Sequence, residues 1–348
     1  MKDFDLLKQL TEAPGVPGRE ERVRELIRHQ AQGLFDEVTV DAMGNLICRR
    51  SAGKSRRRGQ AARRIMLACH IDEIGFYVKY IDDKGFLRLN AAGGFDTRNL
   101  HARKVLIQGT RDVVGLLNPT GRPVHLASDE EKKKVYKVSE FFVDLGLPPE
   151  QVKRIVRVGD PVTLLTTTEQ VGKAVSGKAM DNRVASFVVL EAMRKLPRAA
   201  CPNEIYYVAT VQEEVGCRGA GPAAFGIEPD VAVALDVTLA CDTPGIPDDE
   251  AVCRLGGGVA IKIMDGHSIS DRELIDTLAA LAKARKIRYQ LEVLPMGGTD
   301  AGVMQRSRRG HKAITLSIPC RYVHTITEMV HADDVTAGIN LLAAFLAS

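Results

Sequence analysis

The chain reads as an α/β protein with a small β-rich domain inserted into it, and three observations carry that reading. Ile65 to Cys69, Ile205 to Val211 and Val231 to Leu235 are nearly continuous apolar runs, the texture of strands covered on both faces of a sheet. Segments with helical spacing of apolar positions lie between such runs, so strands and helices alternate. From Phe76 to about Val171 the alternation stops, and short β-like runs are separated by Asp83-Lys84-Gly85, Ala92-Gly93-Gly94 and Gly159-Asp160. The alternating texture resumes at Gly177. We therefore expect a discontinuous larger domain, 1–75 with 172–348, and an inserted β-domain, 76–171.

Taken in order, Asp3 to Leu10 has a short helical pattern that Ala13-Pro14-Gly15-Val16-Pro17-Gly18 breaks. Arg19 to Leu34 puts Val23, Leu26 and Ile27 on one helical face, with Glu20 and Glu21 in a first turn where carboxylates are favoured. Glu37 to Val40 and Leu46 to Arg49 flank a turn at Met43-Gly44-Asn45 and read as a hairpin. Within the β-rich block we expect one helix, near Asp129 to Leu145. An apolar helix from Val184 to Leu196 follows Asp181-Asn182-Arg183, where Asp181 or Asn182 could serve as its cap. Cys217 to Gly221 reads as a small-residue turn. Gly256-Gly257-Gly258 lacks the G-K-[ST] ending of a phosphate loop and reads as backbone room beside a cleft. Helices around Asp271 to Arg285, after Thr299-Asp300, and from Ala332 to Leu346 complete the pattern, with strands Tyr289 to Leu294 and Ala313 to Ile318 between them.

Composition excludes several classes. Of 348 residues, 45% are hydrophobic and 26% charged, and no apolar run approaches the roughly 20 residues that span a bilayer. Met1-Lys2-Asp3-Phe4-Asp5 lacks a signal-peptide core, so the expected location is cytoplasmic, with no membrane partner. The seven cysteines are scattered and never form a C-x-x-C pair, which fits reduced thiols. The net charge is only +4 and much of the basic excess lies in Lys54 to Arg64; aromatics are 5% and tryptophan is absent, so no nucleic-acid partner is expected. That segment reads as a solvated loop.

Two short stretches carry the chemistry. Gln212-Glu213-Glu214-Val215-Gly216 closes a buried strand, and adjacent residues of an extended backbone face opposite ways, so Glu213 and Glu214 suit two different tasks: holding a metal and moving a proton. A solvated pair of glutamates at a sheet rim is the bland alternative. In His70-Ile71-Asp72, positions i and i+2 share a face, so Asp72 could orient the His70 imidazole, although a histidine there could equally be a hydrogen-bonded structural residue. His70, Asp181, Glu214, Asp236 and His324 all fall at or just past strand ends, where open α/β sheets build their sites. Five such residues suffice for two ions if one aspartate bridges. Imidazoles mixed with carboxylates suit Zn²⁺ or Co²⁺ better than Mg²⁺ or Ca²⁺.

Ala68-Cys69-His70-Ile71-Asp72-Glu73-Ile74-Gly75, Asp181-Asn182-Arg183, Gln212 to Gly216, Leu235-Asp236-Val237-Thr238, Gly298-Thr299-Asp300-Ala301 and Ile318 to Thr325 together resemble the tetrahedral (TET) aminopeptidases, the glutamyl and deblocking aminopeptidases of the clan MH zinc exopeptidases. The resemblance spans nearly the whole chain in order. It implies an α/β/α sandwich zinc-exopeptidase domain and an inserted small β-barrel-like dimerisation domain. It further implies His70 and Asp236 on one zinc, Glu214 and His324 on the other, Asp181 bridging, and Glu213 as general base. Asp72 is carried with Glu213 as a catalytic residue, and Thr299, Asp300 and Arg321 as substrate-binding candidates. The implied cofactors are two divalent ions per subunit, Zn²⁺ or Co²⁺. The implied partners are peptides with a free N-terminus and further copies of the chain, as dimers assembled into a tetrahedral dodecamer. A cis Asp181-Asn182 peptide is expected on the same ground. Lys54 to Arg64, longer than usual, and the Leu100 to Lys104 loop depart from the family pattern without touching a ligand position.

The competing readings are a dizinc carboxypeptidase or amidohydrolase of the same clan, an endoglucanase-like glycosidase, and a non-catalytic metal-binding scaffold. A glycosidase needs two carboxyls flanking a sugar and no metal, often with aromatic platforms, which this composition opposes.

Overall fold

The computed structural model describes residues 3–53 and 62–348. Helices α1 (Phe4–Glu12) and α2 (Glu21–Ala31) each bury one stripe, Leu6, Leu7 and Leu10 in the first and Val23, Ile27 and Ala31 in the second. The hairpin of β1 (Glu37–Val40) and β2 (Leu46–Arg50) forms as expected. Its turn is held by Asp41 Oδ1, which accepts from the N–H groups of Met43, Gly44 and Asn45. Most of the basic segment, residues 54–61, lies outside the described residues; Arg64 opens β3 (Arg64–His70), buried from Ile65 onward.

The inserted domain is a closed barrel. It comprises β4 (Gly75–Ile81), β5 (Leu87–Ala92), β6 (Arg103–Gln108), β7 (Asp112–Pro119), α3 (Asp129–Lys133), β8 (Phe141–Asp144), α4 (Pro149–Ile155) and β9 (Pro161–Leu164), with strand order β4-β5-β8-β7-β6-β9. Closure removes the strand edges, and Phe76, Leu89, Ile107, Leu117, Phe141 and Val162 fill the interior. Gly75 starts the barrel because a Cβ there would lie 2.2 Å from Val16 Cγ1 and 2.8 Å from the Val162 carbonyl.

Two expectations are corrected here. The helix foreseen near Asp129 to Leu145 lasts five residues, started by the Ser128/Glu131 capping box. Beyond it the apolar pattern has period two, with Phe141 and Val143 buried and Phe142 and Asp144 half-buried, so the chain forms β8. The unforeseen α4 starts at Pro148-Pro149, a helix-start signal. The domain border also moves. The strand β10 (Glu169–Val171), assigned to the insertion from sequence, forms a hairpin with β11 (Ala174–Gly177) in the large sheet, so the barrel ends with β9.

The remaining elements are α5 (Met180–Lys195), β12 (Glu204–Thr210), α6 (Ala220–Ile227), β13 (Val231–Leu239), β14 (Val259–Met264), α7 (Arg272–Ala284), β15 (Tyr289–Val293), α8 (Ala301–Gln305), β16 (Lys312–Arg321), β17 (Glu328–His331) and α9 (Ala332–Leu346). The large sheet runs β1-β2-β12-β3-β13-β16-β17-β11-β10, with β14 also against β16 and β15 beyond it; β12, β3, β13 and β16 are parallel. Alternation sorts its two faces. Ile65, Leu67, Val233, Leu235 and Leu316 pack with α1, α2, α5, α7 and α9, whereas Met66, Ala68, Ala232 and Ala234 pack with α6 and α8. Small residues on the second face let the alanine-rich α6 approach closely. The result is an α/β/α sandwich. From β12 the chain crosses over β3 to reach β13, and the crevice at such a reversal of strand order is where open sheets bind ligands.

Candidate metal centre

His70 ends β3, paired across to Thr210 at the end of β12. Glu213 and Glu214 follow in a turn and not on an extended strand, because Glu213 O accepts from the N–H groups of both Gly216 and Cys217 at 2.8 and 2.9 Å. The turn still separates the two carboxylates. It needs Gly219, where a Cβ would lie 2.3 Å from Asn45 Oδ1 and 2.6 Å from the Val211 carbonyl. Asp236 is the sixth residue of β13 and not its end: β16 pairs with β13 through Leu239, whereas β3 pairs only as far as Ala234. Asp181 sits at the start of α5, where its dihedrals and those of Asn182 leave the helix, and the peptide between them is cis. Neither residue makes a side-chain cap; Asn182 Nδ2 donates instead to the Leu235 carbonyl at 2.8 Å. His324 lies between β16 and β17 with a φ of 63°.

Four of these side chains, His70, Asp236, Glu214 and His324, gather around Asp181. His70 Nε2 lies 3.0 Å from Asp181 Oδ1 and 3.7 Å from Asp236 Oδ1, while His324 Nε2 lies 3.5 Å from Asp181 Oδ2 and 3.3 Å from Glu214 Oε2. Two groups of three ligand atoms result, His70-Asp181-Asp236 and Asp181-Glu214-His324, each within 4.8 Å and sharing Asp181. Glu213 belongs to neither, although its Oε2 comes within 4.0 Å of His70 Nε2.

The donor set fits divalent cations. Carboxylates outnumber imidazoles, and burying several of them together is costly without a counter-charge. Burial foremost, then Asp236, Asp300 and Glu214, push the Glu213 carboxyl well above its ordinary range, with His70 opposing. Burial and Asp181 likewise raise Glu214 against the opposing His324. Burial disfavours a charged His324, but hydrogen bonds to Asp181 and Glu214 outweigh it and bring that imidazole to about 11. Burial also works against protonated His70, where Asp181, Asp236 and Asp72 win and hold it well above its usual value. Groups that grip protons this firmly would yield them to cations set between the imidazoles and the carboxylates.

The other candidate residues are distributed unevenly. Asp72 touches His70 through its carbonyl, 3.2 Å from Nδ1, while its carboxylate accepts the Glu213 and Glu214 N–H groups, each at 3.0 Å. It therefore braces both glutamates as well as the imidazole. Thr299 lines the cleft and bonds to Thr315, and Asp300 accepts from Thr210 Oγ1 at 2.6 Å. Arg321 is not brought to the cleft; it forms a forked pair with Asp242 at 2.6 and 2.8 Å.

Sequence reasoning missed Glu328, whose buried carboxylate accepts the Asp181 N–H at 3.0 Å and the His324 N–H at 2.7 Å. No local pattern marks it. Also missed were the buried Lys178–Glu73 pair, at 2.6 Å beside the site, and Lys262, 2.9 Å from Glu292 in the cleft wall. A lysine within the otherwise apolar Val259 to Ile263 was the available signal for the latter. The cleft holds about 320 Å³ and continues past Thr238, Leu239, Leu294 and Met296.

Comparison with known proteins gives concordant results. The family model for M42 glutamyl aminopeptidase matches residues 44–341. A putative aminopeptidase of Acetivibrio thermocellus is 40% identical over 341 residues, 97% of each chain. An aminopeptidase structure from the archaeon Desulfurococcus kamchatkensis superposes with a TM-score of 0.92 at 36% identity, covering 98% of this chain and 93% of that one. The Pyrococcus horikoshii TET1 peptidase, described as assembling into a tetrahedron or a large octahedral shell, has a TM-score of 0.85 at 31% identity, with 98% of each chain covered.

Proposed function

The chain belongs to the M42 glutamyl aminopeptidase family, and from that premise we propose that it is a two-metal aminopeptidase with Glu213 as general base. The observation that carries the proposal is the sharing of Asp181 between two three-ligand groups while Glu213 stays outside both. In this reading His70, Asp181 and Asp236 hold one divalent ion and Asp181, Glu214 and His324 the other, Zn²⁺ by preference and Co²⁺ as the substitute. Bound there, the ions would lower the pKa of a water and polarise the scissile carbonyl.

The chain's own residues do the rest. Glu213 takes the water's proton and returns it to the leaving amine, a role suited to a carboxylate that stands beside both ligand groups and belongs to neither. Asp72 keeps the main chain of both glutamates in place. A carboxylate beside Asp236 or Glu214 receives the free amino group of the substrate, which an internal peptide bond lacks. Thr299 contributes to the cleft wall.

Chelation followed by metal add-back tests this on aminoacyl anilides and their N-acetylated counterparts. Activity should vanish on chelation, return with Zn²⁺ or Co²⁺, and require the free amino group. Full turnover after exhaustive chelation, or equal turnover of the acetylated substrates, would sink the proposal.

We also assign the barrel to pairing between copies of the chain, because Val114 and Leu116 on β7 are about half exposed, at 48% and 50%. Dimers built this way would assemble into a tetrahedral dodecamer; a tetrahedron is one of the two assemblies described for the Pyrococcus horikoshii peptidase. Light scattering should give a multiple of the 37.9 kDa subunit mass; a fully active monomer at micromolar concentration contradicts the assignment. No helix among the described residues is long and apolar enough to cross a membrane.

A further inference from the structure

Behind the general base lies a third group of ligand atoms, one from each of Glu213, Cys217 and Asp300, all within 4.8 Å of one another. The turn after β12 creates it. Cys217 adopts a left-handed backbone, φ 52°, and its N–H returns to Glu213 O, so its sulfur lies back over the glutamate and donates to Glu213 Oε1 at 3.2 Å. Asp300 precedes α8 but makes no side-chain cap there. It is 2% exposed; one carboxylate oxygen accepts from Thr210, and Oδ1 is buried without a hydrogen-bond partner. A bare oxygen on a buried carboxylate is costly unless something meets it.

We propose that Glu213, Cys217 and Asp300 form a third cation site, for a thiophilic divalent ion such as Zn²⁺, whose filling takes the base out of use and switches the aminopeptidase off. The switching half of this rests on Glu213 being the base. The sulfur–oxygen separation suits the ion: Zn–S of ~2.3 Å and Zn–O of ~2.1 Å in a tetrahedron put sulfur and oxygen roughly 3.5 Å apart. Sulfur and the Glu213 carboxylate already stand at about that spacing. A thiolate beside two carboxylates favours Zn²⁺ or Cd²⁺ over Mg²⁺ and Ca²⁺, and the absence of imidazole sets this group apart from the other two. Before binding, burial and the neighbouring Glu213 and Asp300 keep the proton on Cys217. On binding, that proton passes to solvent, sulfur donates its freed lone pair to the ion, and Glu213 does the same through an oxygen. Coordination through Oε1, the oxygen that already faces Cys217, withdraws electron density from the whole carboxylate, so Oε2 on the His70 side is too weak a base to take the water's proton.

The full-length protein loaded with two equivalents of Zn²⁺ provides the test. Cd²⁺ is titrated in while ultraviolet sulfur-to-metal charge-transfer absorption is followed, and anilide turnover is measured in parallel against added Zn²⁺. The expected result is one further equivalent bound with a thiolate signal. Turnover should fall by about 10²- to 10⁴-fold as that site fills, since a blocked base forfeits its whole contribution. In Cys217→Ser the thiolate signal should disappear and turnover, relative to that variant's own two-zinc rate, should resist excess Zn²⁺. Asp300→Asn, which keeps the thiol, should weaken the same signal. Persistence of the signal in Cys217→Ser, inhibition of that variant equal to the parent's, or a signal without inhibition would each overturn the proposal. A Cys217-dependent signal in a protein with no peptidase activity at two zincs would uphold the site and refute the function proposed above.

Discussion

The two ends of the Asp181 carboxylate look out on differently built halves of one site. At Oδ1 stand His70 and Asp236, carried by β3 and β13 in the middle of the sheet, with side chains 2% and 8% exposed. At Oδ2 stand Glu214, on the turn after β12, and His324, on the stretch between β16 and β17, whose side chain is 35% exposed. The inner half is positioned by parallel strands that the packed sandwich already holds. The outer half depends on hydrogen bonds to two buried carboxylates: Asp72 accepts from the Glu214 N–H, and Glu328 accepts from the His324 N–H. Rigidity in the first comes from the core and in the second from a tether, so the two should fail under different changes.

The largest effect should come from removing what the halves share. Asp181→Asn keeps the shape but cannot place an anionic oxygen toward each imidazole. Elemental analysis should find both ions depleted, and turnover should fall by more than the about 10²- to 10⁴-fold expected for loss of a base alone. Retention of two ions would show that the halves are independent.

A smaller and more selective loss should follow Glu328→Gln, which touches neither half's ligand atoms directly but weakens the acceptor for the Asp181 and His324 N–H groups. Metal affinity, measured by competition with a chelator, should drop by roughly 10- to 100-fold, the usual effect of removing a residue that orients a ligand. The first ion lost should be the one on the His324 side. Unchanged affinity at an unchanged melting temperature would mean that the outer half needs no tether.

The same contrast explains what could be read from the sequence. The inner half was legible because a buried strand has a period of two and a definite end, so the apolar run to Cys69 already placed His70 at the sheet's rim. The alternation of strands and helices followed from such runs in the same way, while the α/β/α layering came with the family resemblance. Asp236 was placed at a strand end that the structure puts three residues later, since pairing with β16 outlasts the apolar run. Glu213 and Glu214 were legible as a pair with separate tasks, although the physical reason is a turn and not an extended strand. Glu328 was illegible because its role is a long-range one: its partners are two backbone N–H groups, one of them 147 positions away in the chain. In the barrel, Phe141 to Asp144 was mistaken for part of a helix because a charged helix start, Asp129 to Lys133, hid the change of period behind it.

The central claim is that Glu213 moves protons while its neighbour Glu214 holds metal, and one paired measurement addresses it: metal content by elemental analysis beside anilide turnover for Glu213→Gln and Glu214→Gln. Glu213→Gln should keep both ions, lose about 10²- to 10⁴-fold in turnover, and fail to recover at any added Zn²⁺ or Co²⁺. Glu214→Gln should lose the ion on the His324 side and recover partly when metal is added. A metal-deficient Glu213→Gln with a metal-replete Glu214→Gln would reverse the two roles, and retention of both metal and activity in the two variants would contradict the two-metal account altogether.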